Sequence, residues 1–381
     1  MKATPADNFK NFIKSISLKA WIRIIICVVC LLAFGILSLI KAHKVNSLLD
    51  ENTEVRWTDE GKGSAAVSLF FEQGQKKDTD AINALRYKVT NELKDKLDVT
   101  KYEFSDDDPL SGPYTYCYSA PGKVTIQTIG ETSHTATDIN AYGVGGDFFK
   151  FHPVDLKVGR YFDDTDEEKD SLVIDANTAF NLFGSYDVEG MEVLINGIPH
   201  FIRGVYDPDT SKISKYAGSD AGYVFMSYDS LKSNGTAGEI SCVEFVSVEA
   251  YSGHFYNFMK DSTKTGLSKD NTEIVENTDR FSMKSLYSNV LTNFSSRSMK
   301  KNDMVYPYWE NISRVYENQF AVLMVIQIIL LAIPGFILIC FIFYRISKLG
   351  EEGSVVLKKL NEKIYDLEVK HKRGKGKWKD F

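Results

Sequence analysis

Hydrophobic and polar positions fall into three regimes along this chain. Two runs carry no charge at all: Ile24–Ile40, 17 residues closed by Lys41, and Phe320–Phe343, 24 residues followed closely by Arg345. A helix needs about 20 apolar residues to cross a hydrocarbon core, so both runs predict membrane spans, with bounds 24–41 and 319–344. Within the second, only Gln327 is strongly polar, and Pro334-Gly335 predicts a kink or a place where another helix packs closely. A cleavable signal peptide competes for the first run. Its apolar region would be about 7–15 residues long and would end at a small-residue cleavage site. Ser38-Leu-Ile-Lys-Ala-His43 is a poor site, so an uncleaved anchor is expected.

Between the runs the pattern is that of a folded domain. Val45, Leu48 and Leu49 keep helical spacing beyond the first span and predict a short stalk. A turn at Gly61-Lys-Gly63 precedes Val67, Leu69 and Phe71, which alternate as one face of a strand. Asp78-Thr-Asp80 caps a helix with Ile82, Leu85, Val89, Leu93 and Leu97 on one face. Residues 103–122 read as loop, and Lys123–Ile129 as a strand. From 140 to 206 the order is a turn, a short helix, a strand at Leu172–Ile174, a helix ending at Leu182-Phe-Gly184, and a hairpin. The hairpin pairs Met191–Ile195 with Phe201–Val205 through Asn196-Gly197, and Gly184 stands where a left-handed cap is needed. A strand at Val243–Val248, a helix at Ser252–Lys260 and helical spacing at Met283, Leu286, Val290 and Phe294 follow. Ile312, Val315 and Gln319 predict a second stalk after Tyr306-Pro-Tyr-Trp309. Strand, long amphipathic helix and strand together predict an α+β domain that opens with a βαβ-type unit.

Charge then orients these pieces. Residues 1–41 hold six Lys/Arg against one Asp and residues 345–381 hold eleven against six acids, so the net charge of -6 leaves about -16 on 42–344. Basic flanks lie on the cytoplasmic side, which predicts both termini inside and the acidic domain outside the membrane. An acidic exterior domain also excludes nucleic acid, which needs a basic surface. Cys27, Cys30 and Cys340 fall in apolar runs, as small hydrophobes. For Cys117 and Cys242 a disulfide stays open, because sequence gives no geometry.

Searches for chemistry return little. The acidic run Asp163–Glu168 lacks the glycine and terminal glutamate of a calcium loop and reads as a solvated turn. His43, His134, His152, His200, His254 and His371 are scattered without a partner at metal-ligand spacing. Gly143-Val-Gly-Gly146 is not a dinucleotide loop, Gly218–Gly222 is not a nucleophile elbow, and there is no P-loop. The expectation is no catalytic residue, no cofactor and no metal ligand; an ecto-enzyme has no motif to stand on. Asn234, Asn293 and Asn311 match the glycosylation pattern by chance, given the bacterial resemblance described next. Leu357, Leu360, Ile364 and Leu367 form a short apolar stripe on a basic helix. Its plainer reading is attraction to anionic lipid, and its sharper one is docking on a cytoplasmic partner.

One stretch resembles a known family. Asp147-Phe-Phe149, Leu156 with Gly159-Arg-Tyr-Phe162, Val173-Ile174, Ala179 with Leu182-Phe-Gly184, Asp187 with Gly190, and Gly204-Val205 come in the order of the periplasmic core domain of MacB-type (FtsX-like) ABC permeases. The resemblance implies an extracytoplasmic α+β core domain at 42–318, with a mostly β subdomain inserted at about 140–240. It is held between the two spans, with a basic cytoplasmic 1–23 and a basic cytoplasmic tail at 345–381. It implies a non-catalytic subunit of a MacB/FtsX-type transporter complex in the plasma membrane of a bacterium. The domain would relay or receive movement and contact a substrate or partner outside. Implied partners are the lipid bilayer, a separate ABC ATPase, a full-length permease, and a homo- or heterodimer mate. The departure is in the membrane: such permeases have two further spans, which supply much of their dimer, whereas the 38 residues after Phe343 hold none. The alternative is a membrane-anchored extracytoplasmic interaction or scaffold module without energy coupling.

Overall fold

The structure is a computed structural model that describes residues 17–57, 63–75, 77–105, 107–131, 133–163, 166–288, 300–301 and 304–376. Expectations for Gly61, Val290, Asn293, Phe294, Asp164 and the last residues of the basic tail lie outside the described residues. The chain divides into two compact units, one of Met1–Lys41 with Leu323–Phe381 and one of Ala42–Val322.

Helix α1 spans Leu18–Asn46, longer at both ends than the charge-free run. A 3₁₀ turn follows at Leu49–Glu51, so the helical stalk read from Leu48 and Leu49 stops at Asn46. The chain then runs α2 (Thr53–Trp57), β1 (Ser64–Phe71), α3 (Thr79–Lys96), β2 (Tyr114–Thr128), β3 (Thr135–Gly146), α4 (Phe148–Phe151), β4 (Asp155–Gly159) and β5 (Ser171–Asp175). Next come α5 (Ala176–Phe183), β6 (Glu192–Ile195), β7 (Ile198–Asp207), α6 (Lys212–Tyr216), β8 (Val224–Ser227), α7 (Tyr228–Asn234), β9 (Thr236–Ala237) and β10 (Cys242–Val248). The series closes with α8 (His254–Lys260), α9 (Ser262–Thr265), β11 (Thr272–Glu276), α10 (Met283–Leu286) and α11 (Tyr308–Gly376).

Among the described residues, β1–β11 form one mixed sheet with the path β11-β1-β10-β2-β3-β8-β5-β7-β4, while β6 bridges β2 and β7 and β9 pairs with β2. Strand β10 runs antiparallel to both β1 and β2, so β1, α3 and β2 form a βαβ unit with β10 inserted between its parallel strands. That is the α+β architecture expected. Beyond β3 the sheet turns mixed, with β3 parallel to β8 and β5 parallel to β7.

Side-chain alternation explains which face each layer covers. Val67, Leu69 and Phe71 of β1 meet Ile82, Leu85, Val89 and Leu93 of α3. Ala66 and Phe70, on the other face, pack with Cys117, Phe148 and Trp309. Both faces of β1 are therefore buried, as in the central strand of a three-layer fold. Asp78 caps α3 by accepting from the Ala81 N–H at 3.0 Å. Asn196 and Gly197 both have positive φ, 53° and 80°, as the two-residue hairpin turn requires. Gly184 ends α5 at φ 68°, its N–H reaching the Phe180 carbonyl.

Two local expectations fail. Residues 114–122 are strand, not loop: β2 runs unbroken through Pro121-Gly122. Tyr114, Tyr116 and Tyr118 alternate with Thr115, Cys117 and Ser119, and this small polar face is buried, which its composition does not predict. Gly143–Gly146 ends strand β3 instead of making a turn. A Cβ on Gly145 would stand 2.1 Å from the Tyr118 ring and one on Gly143 3.0 Å from the Tyr228 Cα, so these glycines admit neighbours.

In the other unit, the apolar windows of α1 and α11 are only 6% and 11% buried. Their side chains face outward, unlike those of a soluble core helix. These are two candidate membrane spans. Gln327 Nε2 donates to Ser38 Oγ at 2.9 Å, a partner in this chain's own first apolar helix.

Asp175 accepts from the Asn177 and Thr178 N–H groups at 3.0 and 3.1 Å and so starts α5. Asp175→Ala is expected to cost about 1–2 kcal/mol, read as a lower unfolding midpoint of the full chain in detergent.

Candidate functional site

The unit Ala42–Val322 contains a set of buried charges that no local motif announces. Arg280 is 1% exposed and follows β11 in a loop stapled to β1, where Thr278 Oγ1 accepts from the Ala66 N–H at 2.8 Å. Its guanidinium forks onto Glu310, with Nη1–Oε2 at 2.8 Å and Nη2–Oε1 at 2.9 Å. Nε donates to Glu317 Oε1 at 2.9 Å, and Nη1 also reaches Glu51 at 3.3 Å. Arg314 donates from Nε to Glu310 Oε1 at 2.6 Å and from Nη2 to Glu273 Oε1 at 3.0 Å, with its guanidinium 3.7 Å above the Tyr306 ring. Ser313 Oγ donates a short hydrogen bond to Glu51.

Helical spacing accounts for part of this. Glu310, Ser313, Arg314 and Glu317 recur at three- and four-residue intervals, one stripe at the start of α11. That stripe is buried against the 3₁₀ turn on one side and the β11 loop on the other. The cluster thus joins three segments far apart in sequence: the chain just after α1, the end of the sheet's outer strand, and the first turns of α11. Each buried charge would be costly alone, and the planar fork of arginine is the group that can satisfy several carboxylates at once.

Ionisation follows from the geometry. Burial pushes Glu310 up, but Arg280 and Arg314 outweigh it and hold it at about 2. Burial dominates at Glu51, raising it to about 7 despite Arg280. Glu54 is raised to about 7 as well, again by burial first.

A second buried group adjoins the first. His152, 1% exposed, donates from Nδ1 to Asp50 Oδ1 at 3.0 Å and from Nε2 to Glu244 Oε2 in a short hydrogen bond. Burial lowers its basicity, but Glu244 and Asp50 reverse that and bring it to about 9. Trp309 stacks on the imidazole at 4.1 Å between centroids. Glu244 Oε1 accepts from Ser68 Oγ at 2.5 Å, and Asn277 Nδ2 donates to that same Ser68 Oγ at 2.7 Å. Asn277 Oδ1 accepts from Arg280 at 3.3 Å, which returns to the ionic cluster. Asp50 and Glu51 are neighbours, so the polar chain closes on itself around β1 and β10. The Cys117 thiol lies 3.9 Å from Glu244 Oε2.

Other residues singled out from sequence are dispersed. His200 and His254 are buried, bonded to Ser230 Oγ at 2.7 Å and Glu92 Oε1 at 3.2 Å. Asp163 and Asp166 line a pocket of about 240 Å³ together with Lys150 and Lys169, a mixed-charge rim and not a cation cage. Cys117 and Cys242 are both free thiols. They sit opposite Glu244 and Ser119 in the β2/β10 ladder, a diagonal relation too wide for a disulfide. Sequence reasoning passed over Arg280 and Glu310 and set His152 aside as scattered, because its partners Asp50 and Glu244 lie 102 and 92 positions away. The one available signal was charge recurring on an otherwise apolar face of the stalk helix.

The fold and this arrangement define a mixed-sheet domain whose two ends are locked together by buried charge. Residues 75–254 match the family model of the MacB-like periplasmic core domain, and this part of the chain is such a domain, of the ABC permease type. The macrolide export ATP-binding/permease proteins MacB of Neisseria gonorrhoeae and Neisseria meningitidis are 32% identical over 108 residues. That stretch is 27% of this chain and spans only 16% of their length. Among solved structures, the periplasmic region of MacB from Actinobacillus actinomycetemcomitans is similar over 62% of this chain and 95% of its own, at 16% identity and a TM-score of 0.38. The extracellular domain of the noncanonic ABC-type transporter YknZ from Gram-positive bacteria is similar over 55% and 99%, at 17% identity and a TM-score of 0.34.

Arg280→Met is expected to lower stability by about 3–5 kcal/mol, because it strands buried carboxylates. Arg280→Lys keeps the charge, loses the fork, and should recover only part of that in a denaturant titration. Glu51 gives a pH test. Its pKa rises from 4.5 unfolded to about 7 folded, so its stabilisation is complete below pH 4.5 and is lost as pH rises through 7. Glu51→Gln should flatten the decline in melting temperature between pH 5 and 8, leaving the shares that belong to Glu54 and, above pH 6.5, to His152.

Proposed function

We propose that this protein is a non-catalytic membrane subunit of a MacB/FtsX-type ABC transporter-like complex, whose exterior domain relays or receives movement. The observation that carries this reading is the clamp on Arg280. Glu51 and Glu310 belong to the two segments where the chain leaves α1 and enters α11, and one guanidinium holds both against the sheet. Load applied to either segment would reach β1 and β11 through charge-assisted hydrogen bonds, not through a flexible linker. Core packing of this kind has discrete arrangements and does not yield continuously.

In this reading both termini are cytoplasmic, the acidic domain is extracytoplasmic, and the membrane is the plasma membrane of a bacterium. In this reading ATP hydrolysis belongs to a separate ABC ATPase, and these 381 residues contain no phosphate-binding loop of their own. A full-length permease or a second copy would complete the membrane part. The exterior domain contacts a substrate or partner outside. The family resemblance supports these roles, and the acidic and basic charge blocks support the orientation.

Affinity purification of the full chain from its host membrane tests the coupling. An ABC ATPase is expected to copurify and to be lost when 345–381 is deleted. Recovery without any ATPase, together with a phenotype unchanged by that deletion, would favour an anchored scaffold without energy coupling.

A further inference from the structure

We propose that Cys117, His152 and Glu244 form a buried site for one zinc-class divalent metal ion. One sulfur, one imidazole nitrogen and one carboxylate oxygen lie within 4.8 Å of one another, all on buried residues. Tetrahedral zinc holds such donors at about 2.0–2.3 Å, which places them about 3.3–3.8 Å apart. Cys117 Sγ and Glu244 Oε2 are already 3.9 Å apart. His152 Nε2 and Glu244 Oε2 stand closer, joined by a hydrogen bond whose proton lies where the cation would sit. The ion replaces that proton and the thiol proton, and both leave to solvent.

The surroundings fit a metal better than a bare hydrogen-bond network. The Nδ1 side of His152 is held by the Asp50 carboxylate at 3.0 Å, the outer contact that fixes a metal-bound imidazole and makes it a stronger donor. Ser68 orients Glu244 through its other oxygen at 2.5 Å. A mixed sulfur, nitrogen and oxygen set selects zinc or a neighbouring transition metal over calcium or magnesium, which take oxygen alone. The Asp50 side chain is 31% exposed and lies on the wall of a cleft of about 590 Å³, which also carries Asp155, Asp209, Lys44 and an Asp207 paired with Lys157, so acids outnumber the one lysine on its wall. An acidic cleft that ends on the carboxylate behind His152 would draw a cation towards the site. The three ligands come from β2, β10 and the end of α4, so the ion would fasten that end to the central strands.

The test uses the full chain, without an affinity tag that binds metal, purified in detergent and loaded with Zn²⁺ or Co²⁺. After dialysis, elemental analysis should find about one ion per chain, the stoichiometry of a single three-ligand site. Cobalt should give a thiolate charge-transfer band in the near ultraviolet. Cys117→Ser should abolish the band and Cys242→Ser should keep it, while Asp50→Asn should weaken retention about 10- to 100-fold. A folded wild-type chain that retains no ion and shows no band overturns the proposal. So does a band that survives Cys117→Ser but disappears with Cys242→Ser. The wild-type measurements stand even where a variant fails to fold.

Discussion

A guanidinium with 1% exposure constrains everything near it. Arg280 cannot lose its charge and cannot sit bare in a protein interior, so the structure must bring acceptors to it. It brings three glutamates, from the turn after the first apolar helix and from the start of the second. Because those segments are distant in sequence, satisfying one arginine fixes the relation between the entry and the exit of the whole domain. An apolar contact of the same area would stabilise as well or better, but it would tolerate sliding. The fork on Glu310 does not.

The carboxylates outnumber the cations in this cluster, and the ionisation divides accordingly. Glu310, held by two arginines, stays charged, whereas Glu51 is driven towards its neutral form by burial. A cluster with one carboxylate poised near neutrality is less costly than one with every acid charged, and it leaves the clamp sensitive to conditions outside. The second polar group, around His152, extends the same logic across the sheet. Ser68 and Asn277 connect the two, so the middle of an otherwise apolar layer carries a continuous hydrogen-bonded path. Such a path is worth most when complete, since each missing member leaves a buried polar group unsatisfied.

Much of the chain was legible from its own pattern. The two charge-free runs, the Asp78 cap, the Gly184 cap and the Asn196-Gly197 turn are local, and local sterics and hydrogen bonding decide them. The ordered glycines, aromatics and hydrophobics of 147–205 carried the family resemblance through their order along the chain, although Phe148, Phe149 and Val173 pack into a core shared with distant strands. Expectations failed where a neighbour from elsewhere changed the demand. Tyr114–Ser119 falls within the stretch read as loop until its small face is seen to be buried, with Cys117 packed in the core cluster of Phe148 and Trp309. Gly143 and Gly145 read as a turn until Tyr118 and Tyr228 are seen to occupy the space a side chain would take.

By itself, then, the sequence determined the two apolar helices, the α+β class and the acidic middle, because periodicity and charge are properties of adjacent residues. What only the tertiary structure decided is which charges are buried and with whom. Nothing around residue 280 marks its arginine as a core residue, and His152 and Glu244 lie 92 positions apart. A buried charge depends on partners, and partners at such separations are chosen by the register of β1, β2 and β10 and by the seat of the last helix. The clamp and the proposed metal site both arise at that level.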